Sequence, residues 1–410
     1  MKKIISLSIA STLLFGYNHL KVGQTKPLND MTFNFGSVTF SNGYKMDNTW
    51  GLGSAAAHKA GDPKNIIYVM TDRGVNIKCK DDKKIIGMDI CKKGKIFPYP
   101  DFTPTIVKLK IDNNKVKVLK VIPLKDSNGK NISGISPKLS NFPETPYDIN
   151  GKVLKNDPNG LDTEALYVKR DGSFWIGEEY GPSLVNVSKD GKILKRLVPK
   201  NLAKEFKGAT YPVIGALPNI ISKRHPNRGI EAIALSPDEK YIYFALQSPL
   251  DNPKYSKSRD IRFYKMDLSN YNNIKEYLYK EDLASSFIAD NKKKKRKQKK
   301  VKVSEMVCIG KDKLIFDERI SKESKFYLVD LSKEQPIPKD RDLTLEQNDE
   351  GIKAVKKELV YTSVAKKGKV PSKVEGVANL GDNRFFLIND NDFGIEGAKE
   401  IGNIVKFNLK

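Results

Sequence analysis

Histidine, cysteine and tryptophan are scarce in this chain of 410 residues, which contains three, three and two of them respectively. The sequence also lacks the motifs H-E-x-x-H, G-x-S-x-G and G-x-x-x-x-G-K-[ST]. These absences disfavour a zinc protease, an α/β-hydrolase and a P-loop nucleotidase. His58 follows Ser54 by four residues. Without a nucleophile elbow or a third partner, that pair does not indicate a catalytic triad.

Apolar runs long enough to span a bilayer are also missing. Ile4–Phe15 is mostly apolar and uncharged, and it follows the basic start Met1-Lys2-Lys3. This combination predicts a secretory signal peptide over residues 1–23, cleaved between Gly16 and Gln24. We therefore expect an exported protein, periplasmic or secreted, with no transmembrane segment in the mature chain. A buried first strand or helix is the alternative.

The three cysteines have spacings that do not form a zinc site. Cys79 and Cys91 bracket a short charged loop. In an exported protein this arrangement indicates either a local disulfide or two unpaired thiols. Cys308 lies in an apolar run and is predicted to be a core residue.

Acidic residues are in the minority: 49 Asp and Glu face 73 Lys and Arg, which gives a formal net charge of +24. Lys292–Lys300 carries eight positive charges in nine positions, and we expect a solvated insertion there because like charges repel. A general preference for lysine explains the remaining excess as well as an anionic partner does. Nucleic acid is not an expected partner, since the basic run has no aromatic side chain on which bases could stack.

Four segments share a pattern: an acid in a short apolar run, a turn, and a second apolar run that ends in polar residues. The first runs begin at Asp162, Arg228, Val303 and Lys373, and the turns contain Gly172, Pro237, Asp312 and Gly381. A fifth copy, which begins at Gly51, lacks the first acid. The turns are typical of β-hairpins.

Further strand candidates follow each copy, and long helical patterns are absent from the sequence. Repeated units of four short strands predict an all-β fold, a β-propeller of five to seven four-stranded blades. The propeller is expected to form a single domain over residues 31–410. The last copy stops after its third strand, and Met31–Phe35 could supply the fourth and close the ring. A β-sandwich, or a pair of them, is the alternative.

The innermost strands of a propeller line its central channel, and the repeat places the same acid on four of them. Converging carboxylates repel one another unless a cation lies between them. Numerous oxygen donors suit Ca²⁺ or another hard divalent metal. The predicted metal ligands are Asp72, Glu164, Glu231, Glu305, Glu375 and Asp390.

Arginines accompany these acids in the sequence, and a guanidinium forms a planar fork for phosphate or carboxylate. A metal can polarise a phosphoryl oxygen and activate water, so the combination indicates a phosphoester site. The predicted catalytic residues are Glu164, Glu178, Glu231, Arg73 and Arg228. Alternatively, the glutamates pair with arginines and backbone amides and only hold the blades together.

Seven short segments form a recognisable set across most of the chain after Gly51. They are Thr71–Asn76, Phe97–Pro104, Gly177–Leu184, Asn227–Ala232, Ala245–Leu250, Val374–Val377 and Asn389–Gly394. Together they resemble the phytase-like family of exported bacterial β-propellers, also called "esterase-like activity of phytase". The sequence departs from that pattern at Ala165 and Ala232, where glycine is usual after the acid, and in the insertion at 292–300.

The resemblance implies a propeller that hydrolyses phosphoesters or other esters. We expect a monomer that acts on a small anionic or ester substrate with the help of a divalent metal. A non-catalytic propeller that binds an anionic ligand or a cell-envelope partner is the alternative, so the sequence leaves enzymatic activity open. A protein that binds nucleic acid or anionic surfaces by charge alone is a third hypothesis.

Overall fold

The chain folds almost entirely into β-strands. The structure is a computed structural model that describes residues 17–141, 143–252 and 258–409. Residues 1–16, which hold most of the predicted signal peptide, lie outside the described residues. Tyr17 falls within the predicted signal range, yet its ring stacks on Phe35 with centroids 4.7 Å apart. Among the described residues, no helix is both long and apolar enough to cross a membrane.

Strands are numbered in chain order. Before residue 150 they are β1 (Thr25–Pro27), β2 (Asn34–Thr39), β3 (Lys45–Thr49), β4 (Ala55–Ala57), β5 (Ile66–Met70), β6 (Ile77–Lys78), β7 (Lys95–Ile96), β8 (Thr105–Asp112), β9 (Lys115–Pro123) and β10 (Pro146–Tyr147). They continue as β11 (Thr163–Val168), β12 (Phe174–Glu178), β13 (Ser183–Val187), β14 (Ile193–Pro199), β15 (Val213–Leu217), β16 (Ile230–Leu235), β17 (Tyr241–Leu246), β18 (Asp260–Asp267) and β19 (Ile274–Lys280). The last strands are β20 (Lys302–Gly310), β21 (Lys313–Arg319), β22 (Glu323–Asp330), β23 (Lys357–Val364), β24 (Val374–Gly381), β25 (Arg384–Asn389) and β26 (Gly402–Lys406).

Helical segments are short and lie in the connections. The α-helices are α1 (Asp82–Ile86) and α2 (Ile288–Asn291). Turns of 3-10 helix lie at Cys79–Asp81, Lys200–Phe206, Asn219–Lys223, Ala284–Ser286, Gln298–Lys300, Leu331–Lys333, Asp342–Thr344 and Asp392–Gly397.

Five of the sheets are arranged as propeller blades. Reading outward, their strand orders are β4-β5-β8-β9-β1, β11-β12-β13-β14-β15, β16-β17-β18-β19, β20-β21-β22-β23 and β24-β25-β26. The first strands of these sheets contact one another in the cyclic order β4, β11, β16, β20, β24 and back to β4. They therefore surround a common axis, a cyclic arrangement that a β-sandwich lacks. The predicted β-propeller is confirmed.

Apolar side chains on both faces of the middle strands hold the blades together. β17 reads Tyr-Ile-Tyr-Phe-Ala-Leu, and all of its residues after Tyr241 are buried. Aromatic and β-branched residues suit a pleated strand that packs on both sides. Phe244 belongs to a cluster with Trp175 of the preceding blade. Cys308, predicted to lie in the core, is half-buried against a neighbouring cluster.

The segment before β2 links the first and last blades. β1 pairs with β9 at the outer edge of the first blade. A few residues later, the Met31 amide donates to the carbonyl of Glu400 at 2.9 Å, and Leu28 accepts from the Gly402 amide at 2.8 Å. The prediction that Met31–Phe35 forms the fourth strand of the last blade is wrong, because β2 pairs instead with β3 in a separate hairpin.

Two connections bear on the sequence predictions. Cys79 and Cys91 form a disulfide, which confirms the first of the two alternatives. Lys292–Lys295 are exposed, as expected for a solvated insertion. The second half of that run is anchored, since Arg296 Nε donates to the Asp290 carbonyl at 3.2 Å and Gln298 Nε2 donates to the Asp282 carbonyl at 2.9 Å. The prediction of a wholly solvated loop is therefore wrong for Arg296 and Gln298, whereas Lys297, Lys299 and Lys300 are exposed as expected.

Candidate functional site

A β-bulge near the start of each of four inner strands decides which side chain turns towards the axis. In β11, Thr163 pairs with Glu178 and Ala165 pairs with Gly177, so Glu164 is the extra residue between them. The same shift makes Glu231 in β16, Ser304 in β20 and Glu375 in β24 the extra residues. Because a bulge re-aims its extra side chain, it sets the glutamates apart from the apolar positions that pack inside the blades.

A polar cavity of about 370 Å³ opens at this end of the axis. The acids that line it are Asp72, Asp162, Glu164, Glu179, Glu231, Glu375, Asp390 and Asp392. The basic residues that line it are Arg73, Lys78, Lys95, Arg228, Arg296, Lys300, Lys302, Arg319 and Lys373. The cavity therefore presents carboxylates and cations to the same small volume, which suits a charged ligand.

Three carboxylates form the tightest acidic group in the cavity. One oxygen from each of Asp72, Asp162 and Glu164 lies within 4.8 Å of the other two. Neighbouring groups fix each of them: Asp72 Oδ1 accepts from the Gly74 amide at 2.8 Å, Asp162 Oδ2 from Arg73 Nη1 at 3.1 Å, and Glu164 Oε2 from Ser54 Oγ at 2.7 Å. Such a group of oxygen donors can hold a hard cation.

Burial and mutual repulsion make these carboxylates difficult to ionise. Burial raises the pKa of Glu164 well above its ordinary value, and the neighbouring Glu231 adds to the shift. Burial also raises the pKa of Asp72, with Asp390 as the next cause. Burial and Asp392 raise the pKa of Asp390 to about 6. A divalent cation would reverse this repulsion, since it favours the charged form of every carboxylate around it.

Glu231 carries a polar atom that the surrounding protein does not satisfy. Its residue is only 2% exposed and borders the cavity. Oε1 accepts from Gln247 Nε2, whereas Oε2 has no hydrogen-bond partner among the described residues. A buried polar group without a partner costs about 1–3 kcal/mol. A ligand or ion that reached Oε2 would offset that cost.

Three of the cations that line the cavity with these carboxylates are Arg319, Lys373 and Lys302. Arg319 pairs with Glu375, and its Nε donates to Ser304 Oγ at 2.7 Å. Lys373 pairs with Asp392. Burial and the nearby Arg319 lower the pKa of Lys302 to about 8. Lys302 is therefore protonated at neutral pH and loses its charge in mildly alkaline solution.

Arg73 borders the cavity but is largely occupied by the protein. Its Nη1 donates to Asp162 Oδ2 at 3.1 Å and its Nη2 donates to Glu144 Oε1 at 2.7 Å. Its Nε donates to the Gly134 carbonyl at 3.1 Å. The geometry thus assigns Arg73 to the positioning of Asp162, and its predicted contact with substrate gains no support.

Seven of the nine predicted site residues line the cavity: Asp72, Arg73, Glu164, Arg228, Glu231, Glu375 and Asp390. Glu178 is not among its lining residues. It forms an ion pair with Arg196 at 2.8 Å, and both side chains are fully buried inside the second blade. Glu305 is not among them either, because the bulge in β20 falls on Ser304, one residue earlier. The carboxylate of Glu305 accepts from the Met306 amide at 2.9 Å.

Several lining residues were missed by the sequence reasoning. They are Asp162, Lys95, Lys302 and Lys373. A signal for two of them does exist. Asp162 and Lys373 each lie two positions before a glutamate that recurs in the repeats, Glu164 and Glu375. Side chains two apart on a strand share a face, so these two accompany the glutamate to the axis. Lys302 has the same place relative to the bulge at Ser304, which the sequence does not show.

Comparisons with known proteins give a relative and several distant structures. A protein of Arthroderma benhamiae named "Uncharacterized secreted protein" is 26% identical over 184 residues, which cover 38% of this chain and 36% of that protein. A luciferin-regenerating enzyme has a TM-score of 0.34 at 11% identity, over 95% of this chain and 97% of that one. The β-propeller domain of Myceliophteria thermophila Cps50 (Swd1) has a TM-score of 0.34 at 9% identity, over 88% of this chain and 98% of that one. Likenesses this distant say nothing about the function of this chain.

Five blades around a charged axial cavity define the chain as a β-propeller with a polar site on its axis. The profile of the phytase-like family, described as "Esterase-like activity of phytase", matches residues 48–393. The chain therefore belongs to the phytase-like family. The match includes every residue that lines the axial cavity.

Proposed function

We propose that the chain is an exported, metal-assisted hydrolase of phosphoesters or other esters, with its active site in the axial cavity. The observation that carries the proposal is the close approach of Asp72, Asp162 and Glu164, whose oxygens lie within 4.8 Å of one another beside a row of cations. The Cys79–Cys91 disulfide and the secreted relative support export, because disulfides persist in oxidising compartments.

The donor set fits a hard divalent cation such as Ca²⁺. All of the candidate ligands are carboxylates, and the unpartnered Glu231 Oε2 in the same cavity offers a further oxygen. Asp72, Asp162, Glu164 and Glu231 would hold the ion. When bound, a divalent metal polarises a phosphoryl or carbonyl oxygen and lowers the pKa of water.

The remaining side chains supply substrate binding and a proton. Arg228 and Lys302 would bind the anionic group of the substrate, since both line the cavity and are charged at neutral pH. Asp390 would hold a proton on its carboxylate, because a pKa of about 6 lets it change charge close to neutral pH. Lys373, 3.6 Å from Asp390, would stabilise the ionised form after the proton leaves.

A calorimetric titration with Ca²⁺ tests the metal site first. The wild type should bind the ion, and Glu231→Gln and Asp72→Asn should bind it at least about tenfold more weakly, because each loses a charged ligand. Glu358→Gln is the matched control, since Glu358 is exposed on β23 in the fourth blade. Thermal melts of all four proteins separate lost binding from lost folding.

Hydrolysis is then measured with p-nitrophenyl phosphate, p-nitrophenyl acetate and phytate, with Ca²⁺ and with a chelator. We expect turnover of at least one ester that falls in the chelator and in Glu231→Gln. Metal binding without turnover of any ester would favour the alternative, a non-catalytic propeller that binds an anionic ligand. Equal Ca²⁺ affinity in the wild type and Glu231→Gln, or no binding at all, would disprove the metal site.

A further inference from the structure

A second cavity, here called the lysine groove, adjoins the axial cavity and has a basic wall. Its volume is about 540 Å³. It is lined by Lys78, Lys80, Lys92, Lys93, Gly94, Lys95, Pro143, Glu144, Tyr180, Pro226 and Asn227. Lys78, Lys95 and Asn227 also line the axial cavity, so the two cavities adjoin at these residues.

The strand pairing in the lysine groove places like charges side by side. β6 and β7 pair antiparallel, with Lys78 directly opposite Lys95. Like charges at directly opposite positions destabilise a strand pair. Lys95 is buried; its Nζ donates to Asn227 Oδ1 at 2.8 Å and lies 3.7 Å from Glu144, whereas Lys78 is exposed beside it. An anion between the two lysines would remove their repulsion.

The disulfide holds further lysines on the same wall. Cys79 lies between Lys78 and Lys80, and Cys91 is followed directly by Lys92 and Lys93. Lys80, Lys92 and Lys93 are exposed at the wall. The acid among the lining residues, Glu144, pairs with Arg73 at 2.7 Å and with Lys95 at 3.7 Å, so one carboxylate is shared between two cations. The groove thus has a surplus of positive charge that its own residues do not balance.

The lysine-rich insertion faces this wall from another part of the chain. Arg296 and Lys300 line the axial cavity where the two spaces meet. Burial lowers the pKa of Lys300, and nearby cations, Lys80 among them, lower it further. Cations from residues 78–95 and 296–300 therefore border the two adjoining cavities.

We propose that the lysine groove binds a linear polyanion with repeated phosphate groups and guides it to the axial cavity. A concave path with charges spaced along it matches a chain of anionic groups, whereas a flat anionic membrane would reach only the rim. Nucleic acid fits less well, because Tyr180 is the single aromatic residue among the described lining residues and is 2% exposed, which leaves no ring for stacking. Binding in the groove does not depend on hydrolysis in the axial cavity.

The test compares long-chain polyphosphate with pyrophosphate in fluorescence or calorimetric titrations of the full chain at several salt concentrations. One variant replaces Lys80, Lys92 and Lys93 with glutamine. The control variant replaces Lys115, Lys240 and Lys311 with glutamine, which removes the same charge from exposed positions at the opposite end of the blades. Both sets lie outside the axial cavity, so Ca²⁺ affinity should stay unchanged in both.

We expect the wild type to prefer the long polymer. The groove variant should bind it about tenfold more weakly, with a salt dependence shallower by about two in log K against log salt, since each lost contact accounts for about 0.7. The control variant should stay within about twofold of the wild type. An equal loss in both variants would mean that net charge alone drives binding and would overturn the proposal. So would equal affinity for pyrophosphate and polymer, or tighter binding of single-stranded DNA through the same lysines.

Discussion

The two ends of the inner strands differ in chemistry although four of these strands, β11, β16, β20 and β24, contribute to the cavities at both ends. At one end the cavity is lined almost wholly by charged and polar side chains. At the other end a cavity of about 270 Å³ is lined mainly by apolar residues, among them Ala57, Leu166, Ile233 and Met306. The change from Glu164 to Leu166 takes two positions of one strand. The repeat therefore supplies a shared scaffold, and the first residues of each inner strand decide which end carries the chemistry.

Two carboxylates, Asp390 at the charged end and Asp171 at the apolar end, have opposite pKa shifts. Burial and Asp392 raise the pKa of Asp390, at the charged end, to about 6. Hydrogen bonds from Ser173 lower the pKa of Asp171, in the turn at the apolar end, to about 2. The difference follows from hydrogen bonding on one side and burial on the other. The ionised form of Asp171 is exposed and accepts hydrogen bonds from Ser173, whereas Asp390 shares a buried site with other acids.

The largest expected loss of stability comes from breaking the buried ion pair between Glu178 and Arg196 in the second blade. Arg196→Met leaves Glu178 buried without its partner, and we expect a loss of about 3–5 kcal/mol in the free energy of unfolding. Arg196 also donates to Ser183 Oγ at 2.8 Å and to the Gly181 carbonyl at 3.0 Å, so its loss affects several elements of the second blade. Urea denaturation measures the change.

A double variant provides the control for this ion pair. Glu178→Gln together with Arg196→Met removes both charges, and it should recover part of the loss because no uncompensated charge stays buried. If the double variant is as unstable as Arg196→Met, packing of the Arg196 side chain over Phe206, 4.4 Å from the ring centroid, accounts for the effect instead.

This ion pair also shows what the sequence could and could not predict. The repeat predicted the blades, and three of its acids, Glu164, Glu231 and Glu375, line the axial cavity, since a charge at the same point of an apolar run leaves a visible pattern. Glu178 and Glu179 are adjacent, and only the strand register decides that Glu178 turns into the blade while Glu179 reaches the cavity.

The positions of the β-bulges could not be predicted from the sequence either. Glu305 matches the acids of the other repeats in sequence, but the bulge in β20 falls one residue earlier, on Ser304. Lys95 lies in the connection between β5 and β8 and lines the axial cavity. Because this connection is not part of the repeat, the repeat could not predict where Lys95 lies. Contacts between segments distant in sequence depend on packing, which the spacing of residues in one chain does not reveal.

The second largest effect concerns pH and tests the opposite shifts directly. The folded pKa of Asp390 is about 6, above the ordinary value of 3.8, so the folded protein binds that proton more tightly than the unfolded chain does. Its contribution to stability therefore falls as pH rises from about 4 to about 6. In the presence of a chelator, Asp390→Asn should be more stable than the wild type at pH 7, by up to about 3 kcal/mol.

Asp171→Asn supplies the comparison from the apolar end. Its folded pKa of about 2 lies below the ordinary value of 3.8, so its stabilising contribution is complete above that value and is lost as pH falls towards 2. Because the group is exposed, we expect Asp171→Asn to cost no more than about 1 kcal/mol at pH 7. Thermal melts between pH 3 and pH 8 measure both variants. A stability curve of Asp390→Asn parallel to that of the wild type would contradict the raised pKa.

A third variant, Ile233→Ala, tests how much side-chain packing at the apolar end contributes to stability. Ile233 is 1% exposed in β16 and lines the apolar cavity. Ile233→Ala should cost about 2 kcal/mol, the low end of the range for this substitution, because one side of the residue already borders open space. Ca²⁺ affinity should be unaltered, since the carboxylates lie at the other end of the strands. A large loss of Ca²⁺ affinity with little loss of stability would show that the two ends are not independent.

The smallest expected effect concerns the exposed half of the lysine-rich run at the charged end. Replacing Lys292, Lys293, Lys294 and Lys295 with glutamine should change the free energy of unfolding by less than about 0.5 kcal/mol, because all four are exposed. A slight gain in stability at low salt is expected, since like charges repel and salt screens that repulsion.

Gln298→Ala is the contrasting variant within the same run. Gln298 accepts from the Ala284 amide at 2.9 Å and donates to the Asp282 carbonyl, so its loss should cost about 1 kcal/mol. Urea denaturation at low and high salt compares the two, and a large loss in the lysine variant would mean that residues 292–295 also pack against the blades.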